Sequence, residues 1–256
     1  MADRNRSPRY AVFQMYEPFR ESIIEENRFY LEQAKIKLLS QFDNIDSEAN
    51  AAGDRWLEKQ AAYCISSTAD PGSALENAYD HSIEYHRLLS EMRDQTRLSI
   101  IAAMYHAWDK KLRSWLVDEI RKWCFSEEAI NQVWAASFDR IIKLLTYTGL
   151  IEKNSAIIQK LSTYRYVVNA YKHGDGAAFE QLKTNHREFL KKPLFGDIPF
   201  ELIWTDYTDL MVDESHLDDL SSTISEFWNS IPSEIFDDTI AELPDWFAAA
   251  INKASK

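Results

Sequence analysis

Glycine and proline are scarce in this chain, with 6 and 7 residues among 256. Breaks in regular structure are therefore few and the elements between them long. Cysteine is scarcer still. Cys64 and Cys124 are the only two, they follow no metal-ligand spacing, and a disulfide framework is excluded. Without a secretory signal they read as reduced core residues. No apolar run is long enough to span a membrane, and the charged stretch from Met1 to Arg9 has no apolar segment behind it. A soluble, cytoplasmic protein without a membrane partner is expected. Basic residues are outnumbered, 29 against 41 acids, for a net charge of −12. Such a chain repels phosphate backbones on average, which excludes general coating of nucleic acid but leaves room for a local basic site.

What is present points to helices. Hydrophobic residues make up 45% of the chain and aromatics 13%, including 8 tryptophans. That is enough to build a packed interior without staples. Apolar positions recur at helical spacing over about 17–42, 47–65, 74–123, 126–147, 155–173, 176–190, 213–228 and 245–253. The strongest pattern is Leu98, Ile101, Tyr105, Trp108, Leu112, Trp115, Leu116, Ile120 and Trp123, one apolar stripe stepping by three and four. Ser126 suits an N-cap, and Gly149 and Gly174 suit helix ends. Residues 66–73 read as a loop. Residues 193–208 read as an ordered loop with room for one short strand pair. No stretch reads as a core β-sheet, so the expected class is all-α, a helical bundle with long antiparallel helices. A helical arm over 1–73 is expected to pack on a bundle over 74–256.

One segment has the residue types for chemistry. On the helix from Ser155 to His173, Ile157, Leu161, Tyr164, Val168 and Tyr171 form the apolar stripe. Arg165, Asn169 and His173 recur every four residues and share one face at its flank. Arginine grips a phosphate with two parallel hydrogen bonds, an amide orients an oxygen, and an imidazole exchanges protons near neutral pH. That trio is adequate for metal-free RNA cleavage, in which a base takes the 2′-hydroxyl proton and cations stabilise the phosphorus centre. Lys172 lies close by as a further phosphate contact. The same residues also have a structural explanation. Lys172 and His173 complement the negative end of any helix, and Arg165 has many acids to pair with.

The run Arg165-Tyr-Val-Val-Asn169-Ala-Tyr-Lys172-His173-Gly174 resembles the motif of HEPN domains, and Tyr105-His106-Ala107-Trp108-Asp109-Lys110-Lys111-Leu112 resembles that family's earlier long helix. The late Phe227-Trp228-Asn-Ser-Ile-Pro232 run is also similar. HEPN domains are helical bundles, many of them metal-independent ribonucleases in prokaryotic toxin–antitoxin and defence systems. The resemblance spans about 75–230. It implies an HEPN-like bundle, a homodimer that forms a cleft, RNA as substrate, and an antitoxin or regulatory protein as partner. It implies Arg165, Asn169 and His173 as catalytic residues, Lys172 as a phosphate contact, and Asp109 as the acid that orients Arg165. Seven residues separate Arg165 from His173, more than the family's usual gap, and Val168 stands where a further arginine is usual. A non-catalytic helical interaction module, or a homodimerising subunit of a larger complex, is the alternative.

Other motifs carry less. Asp213-x-x-His216 is half of a di-iron pattern and reads as a helix-start acid with a surface histidine. His81, His86 and His106 share no metal spacing. The tryptophan stripe reads as core rather than as a platform for bases. Lys110-Lys111 and Lys191-Lys192 are short basic pairs that become a phosphate rim only if they face the Arg165 groove. No phosphate-cradling glycine loop and no nucleophile motif occurs. No cofactor and no metal is expected.

Overall fold

Leu98, Ile101, Tyr105, Trp108, Leu112, Trp115, Leu116 and Ile120 are all buried, so the stripe on the longest helix is the centre of the core. The structure, a computed structural model, describes residues 9–63, 71–191, 205–240 and 242–253. The helices are α1 (Glu17–Lys37), α2 (Ile45–Tyr63), α3 (Pro71–Arg121), α4 (Glu127–Ala135), α5 (Phe138–Tyr147), α6 (Ala156–His173), α7 (Ala177–Asn185), α8 (Glu214–Ser230) and α9 (Asp245–Lys253). Short 3-10 turns follow α1 and α7 and precede α8. The protein is an all-α helical bundle. Among the described residues no helix is long and apolar enough to cross a membrane.

At 51 residues α3 is about 75 Å long, and it organises the rest. Its second half is enclosed by α1, α4, α6 and α8. Trp108 packs edge-to-face on Phe227 of α8, with ring centroids 5.2 Å apart, and Trp115 meets Trp228 at 6.3 Å. Its first half has α2 beside it. A Cβ built on Gly53 of α2 would lie 3.0 Å from the Ala78 carbonyl oxygen, so the two backbones approach closely where both side chains are small.

Three local expectations are corrected. The helix expected over 126–147 is two helices. Ala136 takes an extended conformation, and Ser137 caps α5 by accepting from the Arg140 N–H. The chain also contains a short antiparallel sheet, β1 (Ala11–Gln14) with β2 (Glu234–Phe236), which was not anticipated. The helix expected over 176–190 ends at Asn185 and gives way to a 3-10 turn. Much of the loops expected at 66–73 and 193–208 lies outside the described residues, as does Cys64. Positions 71–73 are already helical, so the boundary expected after residue 73 falls inside the first turn of α3. Cys124 is a buried free thiol.

Candidate functional site

Leu161, Tyr164, Val167, Val168 and Ala170 fix the rotation of α6 by turning into the core. The Tyr171 hydroxyl lies 2.7 Å from Ser99 Oγ of α3. The Tyr164 hydroxyl lies 2.9 Å from both the His216 carbonyl and the Asp219 carboxylate of α8. Burial first, and then the Asp219 charge, raise that phenol well above the ordinary tyrosine value. Gly174 ends the helix at φ +73°, a conformation that favours glycine, and its N–H donates to the Ala170 carbonyl. The next residue, Asp175, accepts the Tyr207 backbone N–H at 2.9 Å.

This framework aims Arg165 at the start of α5. Its Nη1 donates to Asp139 Oδ1 at 3.2 Å, and its guanidinium lies 4.6 Å over the Phe138 ring. The Arg165 side chain is 22% exposed, whereas that of Asp139 is 71% exposed. The Nε of Arg165 is buried with no acceptor among the described residues.

Asp109, expected to hold Arg165, holds Arg113 instead. Arg113 Nε donates to Asp109 Oδ2 at 2.9 Å, four residues along the same helix. Arg113 Nη1 then donates to the carbonyls of Val133 at 2.7 Å and Ala136 at 2.9 Å. These carbonyls belong to the C-terminal end of α4, where acceptors lack intrahelical donors and carry partial negative charge. That demand places Arg113 and thereby claims Asp109. Arg165 and Asp109 nevertheless both act on the Tyr105 phenol. Burial first raises its proton affinity, the Asp109 charge adds to the rise, and Arg165 opposes it. The Tyr105 hydroxyl is buried with no acceptor among the described residues.

The remaining positions of the line face outward. Asn169 is half-buried, and Lys172 and His173 are exposed at the end of α6. Arg165, in its Asp139 pair, and His173, in solvent, therefore sit in different environments on one helix. A cleft of about 330 Å³ near this end of α6 is lined by Asp94, Leu98, Tyr171, Lys191 and Tyr207, and takes in neither residue.

His106, set aside in the sequence as a metal ligand, is exposed on α3. Burial first, and then the Lys172 ammonium, pull its imidazole below the ordinary value of 6.5, with Asp109 opposing and Lys110 adding to the fall. A signal existed: His106 lies seven residues after Ser99, on the side of α3 that meets α6. Asp213 and His216 form a capping box at the start of α8, with the His216 N–H on Asp213 Oδ1 and the Asp213 N–H on His216 Nδ1, both at 3.2 Å. Among the described residues no group of three histidine, cysteine or acidic side chains is placed to hold a metal ion.

Comparison with protein-family models, with curated proteins and with solved structures finds no match for the chain.

Proposed function

We propose that this chain is a helical interaction subunit that pairs with a second copy of itself through the outer half of α3. The observation that carries the reading is the exposure of large apolar side chains there: Leu75 62%, Tyr79 67%, Ile83 51%, Leu88 50% and Met92 60%. From 72 to 97 only Ala78 is fully buried. A two-helix layer joined by small residues is too thin to enclose larger ones, so these side chains flank the α2 seam in solvent. Leu75, Tyr79 and Ile83 recur every four residues as one exposed apolar stripe, with Leu88 and Met92 on the other flank, and exposed apolar surface of this kind marks an interaction face.

Charge along the same stretch favours a second copy as the occupant. Glu76, Asp80 and Glu84 give its first part a charge of −3, whereas Arg87, Arg93 and Arg97, paired along the helix with Glu84, Glu91 and Asp94, leave its second part at +1. A two-fold, antiparallel pairing sets the acidic part of each copy against the near-neutral, arginine-bearing part of the other and avoids placing the two acidic parts together. Light scattering on the full chain at high micromolar concentration is expected to give twice the monomer mass. Tyr79→Glu with Ile83→Glu is expected to weaken the association roughly a hundredfold, as when about 3 kcal/mol of apolar burial is lost. A wild type that stays monomeric across that range overturns the reading.

A second reading retains RNA chemistry: a HEPN-like, metal-independent endoribonuclease of a cytoplasmic prokaryotic defence or toxin–antitoxin system, held in check by an antitoxin or regulator. It is favoured by the Lys172 charge acting on the exposed imidazole of His106, with His173 exposed next to Lys172 in the last turn of α6. A neutral imidazole is a base for the 2′-hydroxyl, Lys172 and Arg165 are phosphate contacts, and Asn169 is an orienting amide. Exposed ion pairs are worth about 1 kcal/mol or less, so a phosphate competes well with Asp139 for Arg165. The expected result is RNA cleavage in the presence of a chelator, lost in both His106→Ala and His173→Ala. Its rate should rise with pH through a midpoint below 6.5. Uncut tRNA, mRNA and rRNA after incubation with the folded protein count against it.

A further inference from the structure

Apart from the line of Arg165, Asn169 and His173, α6 sets a hydroxyl against an imidazole. Thr163 Oγ1 lies 3.3 Å from His186 Nε2, and His186 Nδ1 lies 3.3 Å from Glu188 Oε1. Local structure fixes all three. Thr163 stands in the interior of α6, one residue before the buried Tyr164. His186 ends α7, its N–H donating to the Leu182 carbonyl at 2.8 Å. The 3-10 turn that follows, Arg187–Phe189, buries Phe189 edge-to-face on Tyr164 with ring centroids 5.6 Å apart, and so docks His186 and Glu188 beside Thr163. The His186 side chain is 29% exposed and that of Glu188 57%, while Thr163 is half-buried, so the group lies at the surface.

Hydrogen-bond chemistry orders these contacts. An ionised carboxylate only accepts, so the Glu188 contact requires the hydrogen on Nδ1. In a neutral ring that leaves the Nε2 lone pair facing Thr163. The hydroxyl has one hydrogen and two acceptors, Nε2 and the Gln159 carbonyl at 3.2 Å. The carbonyl already takes a backbone N–H of the helix. A hydroxyl, a base and an acid that orients the base, joined in series, is the arrangement that activates an oxygen nucleophile, and such contacts shorten when a substrate binds. Turnover is limited, however. Backbone N–H groups inside a helix are bonded to carbonyls one turn back, so the backbone of α6 supplies no oxyanion hole at Thr163. The site therefore suits acyl donors activated by their own leaving group.

We propose that Thr163 is an acyl-acceptor site for an activated ester or thioester, with His186 as its base and Glu188 as the residue that positions the base. Thr163 Oγ1 attacks the acyl carbon, and its proton passes to His186 Nε2. The bond from the acyl carbon to the leaving oxygen or sulfur breaks, and the leaving group departs with that proton. An ester on Thr163 and a free alcohol or thiol result, with no change of oxidation state. The site uses none of the residues assigned above to RNA or to self-pairing. p-Nitrophenyl acetate is the probe, and peptide mass spectrometry on the full chain reads acetylation at each position. An acetyl group is expected on Thr163 and, at the same position, in Thr163→Ser. It is expected to form roughly a hundredfold more slowly in His186→Ala and to recover when free imidazole is added. Nitrogen NMR is expected to find His186 as the Nδ1–H tautomer in the wild type and to shift toward Nε2–H in Glu188→Ala, where acetylation slows. Glu188→Ala, at an exposed position, is the separate check should His186→Ala lose its helix content by circular dichroism. Acetylation of lysines without Thr163 overturns the proposal. So does an unchanged rate at Thr163 in a folded His186→Ala or Glu188→Ala protein, which makes the contacts structural only.

Discussion

At the scale of single residues, the contrast between Arg113 and Arg165 decides how the polar centre of the bundle works. Both are cations on core helices, and each is paired with one carboxylate. Arg113 is buried, its carboxylate is only 24% exposed, and the same guanidinium satisfies carbonyls at the end of α4. Arg165 has a carboxylate that remains mostly in water. Removing Arg113 therefore strands a shielded carboxylate and several buried acceptors at once. Arg113→Ala is expected to lower unfolding stability by about 3 kcal/mol or more, against about 1 kcal/mol for Arg165→Ala. Urea denaturation of the two variants measures the difference, and equal losses refute this assignment of roles. The candidate site was legible in the sequence only up to this competition. Spacing placed Arg165, Asn169 and His173 on one flank of α6. It did not show that Asp109 has a nearer claimant four residues away on its own helix, because the demand behind that claim comes from α4, which folds against α3 only in three dimensions.

At the scale of elements, what could be read was what is local. Apolar spacing marked α3, α6 and α8, and their ends followed from residues whose chemistry acts within one turn. Ser126 accepts the Ala129 N–H at 3.1 Å, and Gly174 supplies the positive φ that stops α6. The break between α4 and α5 was missed because apolar spacing runs on through Val133, Ala136 and Phe138, all buried, and hides the backbone turn beneath it. Ser137 was the available clue, since a serine before an acidic first turn is a cap as readily as a helix-interior residue. The strands were missed for a different reason. Four residues at one end of the chain and three near the other carry too little alternation to be seen separately, and their pairing spans over two hundred positions. The outer half of α3 illustrates the converse. Its helix was legible, but periodicity does not show whether an apolar position meets the chain's own core or stands in solvent.

At the scale of the whole molecule, β1 closes the fold by tying the chain's beginning to its late segment and to the far end of α3. Phe13 pairs with Ile235 across the sheet and packs between Trp115 and Trp123, with ring centroids 6.2 and 6.1 Å away. The Trp123 indole donates to the Val12 carbonyl at 2.8 Å, and the Gln14 N–H donates to the buried Glu119 carboxylate at 2.9 Å. Nearby, Arg20 of α1 donates to the Ile231 carbonyl at 2.9 Å, fastening the same two regions a second time. Contacts between such distant positions form only after a large loop has been closed, a cost that local helix pairing does not bear. The sheet is therefore expected to assemble after the α3-centred bundle. Phe13→Ala removes a fully buried ring and is expected to cost about 3–5 kcal/mol. With the sheet expected to form after the folding transition state, the loss should appear almost entirely as faster unfolding, with the refolding rate nearly unchanged. Stopped-flow folding and unfolding in urea separates these outcomes. A refolding rate that falls by the full amount, with unfolding unaltered, means that the two ends meet early and that the bundle forms around them.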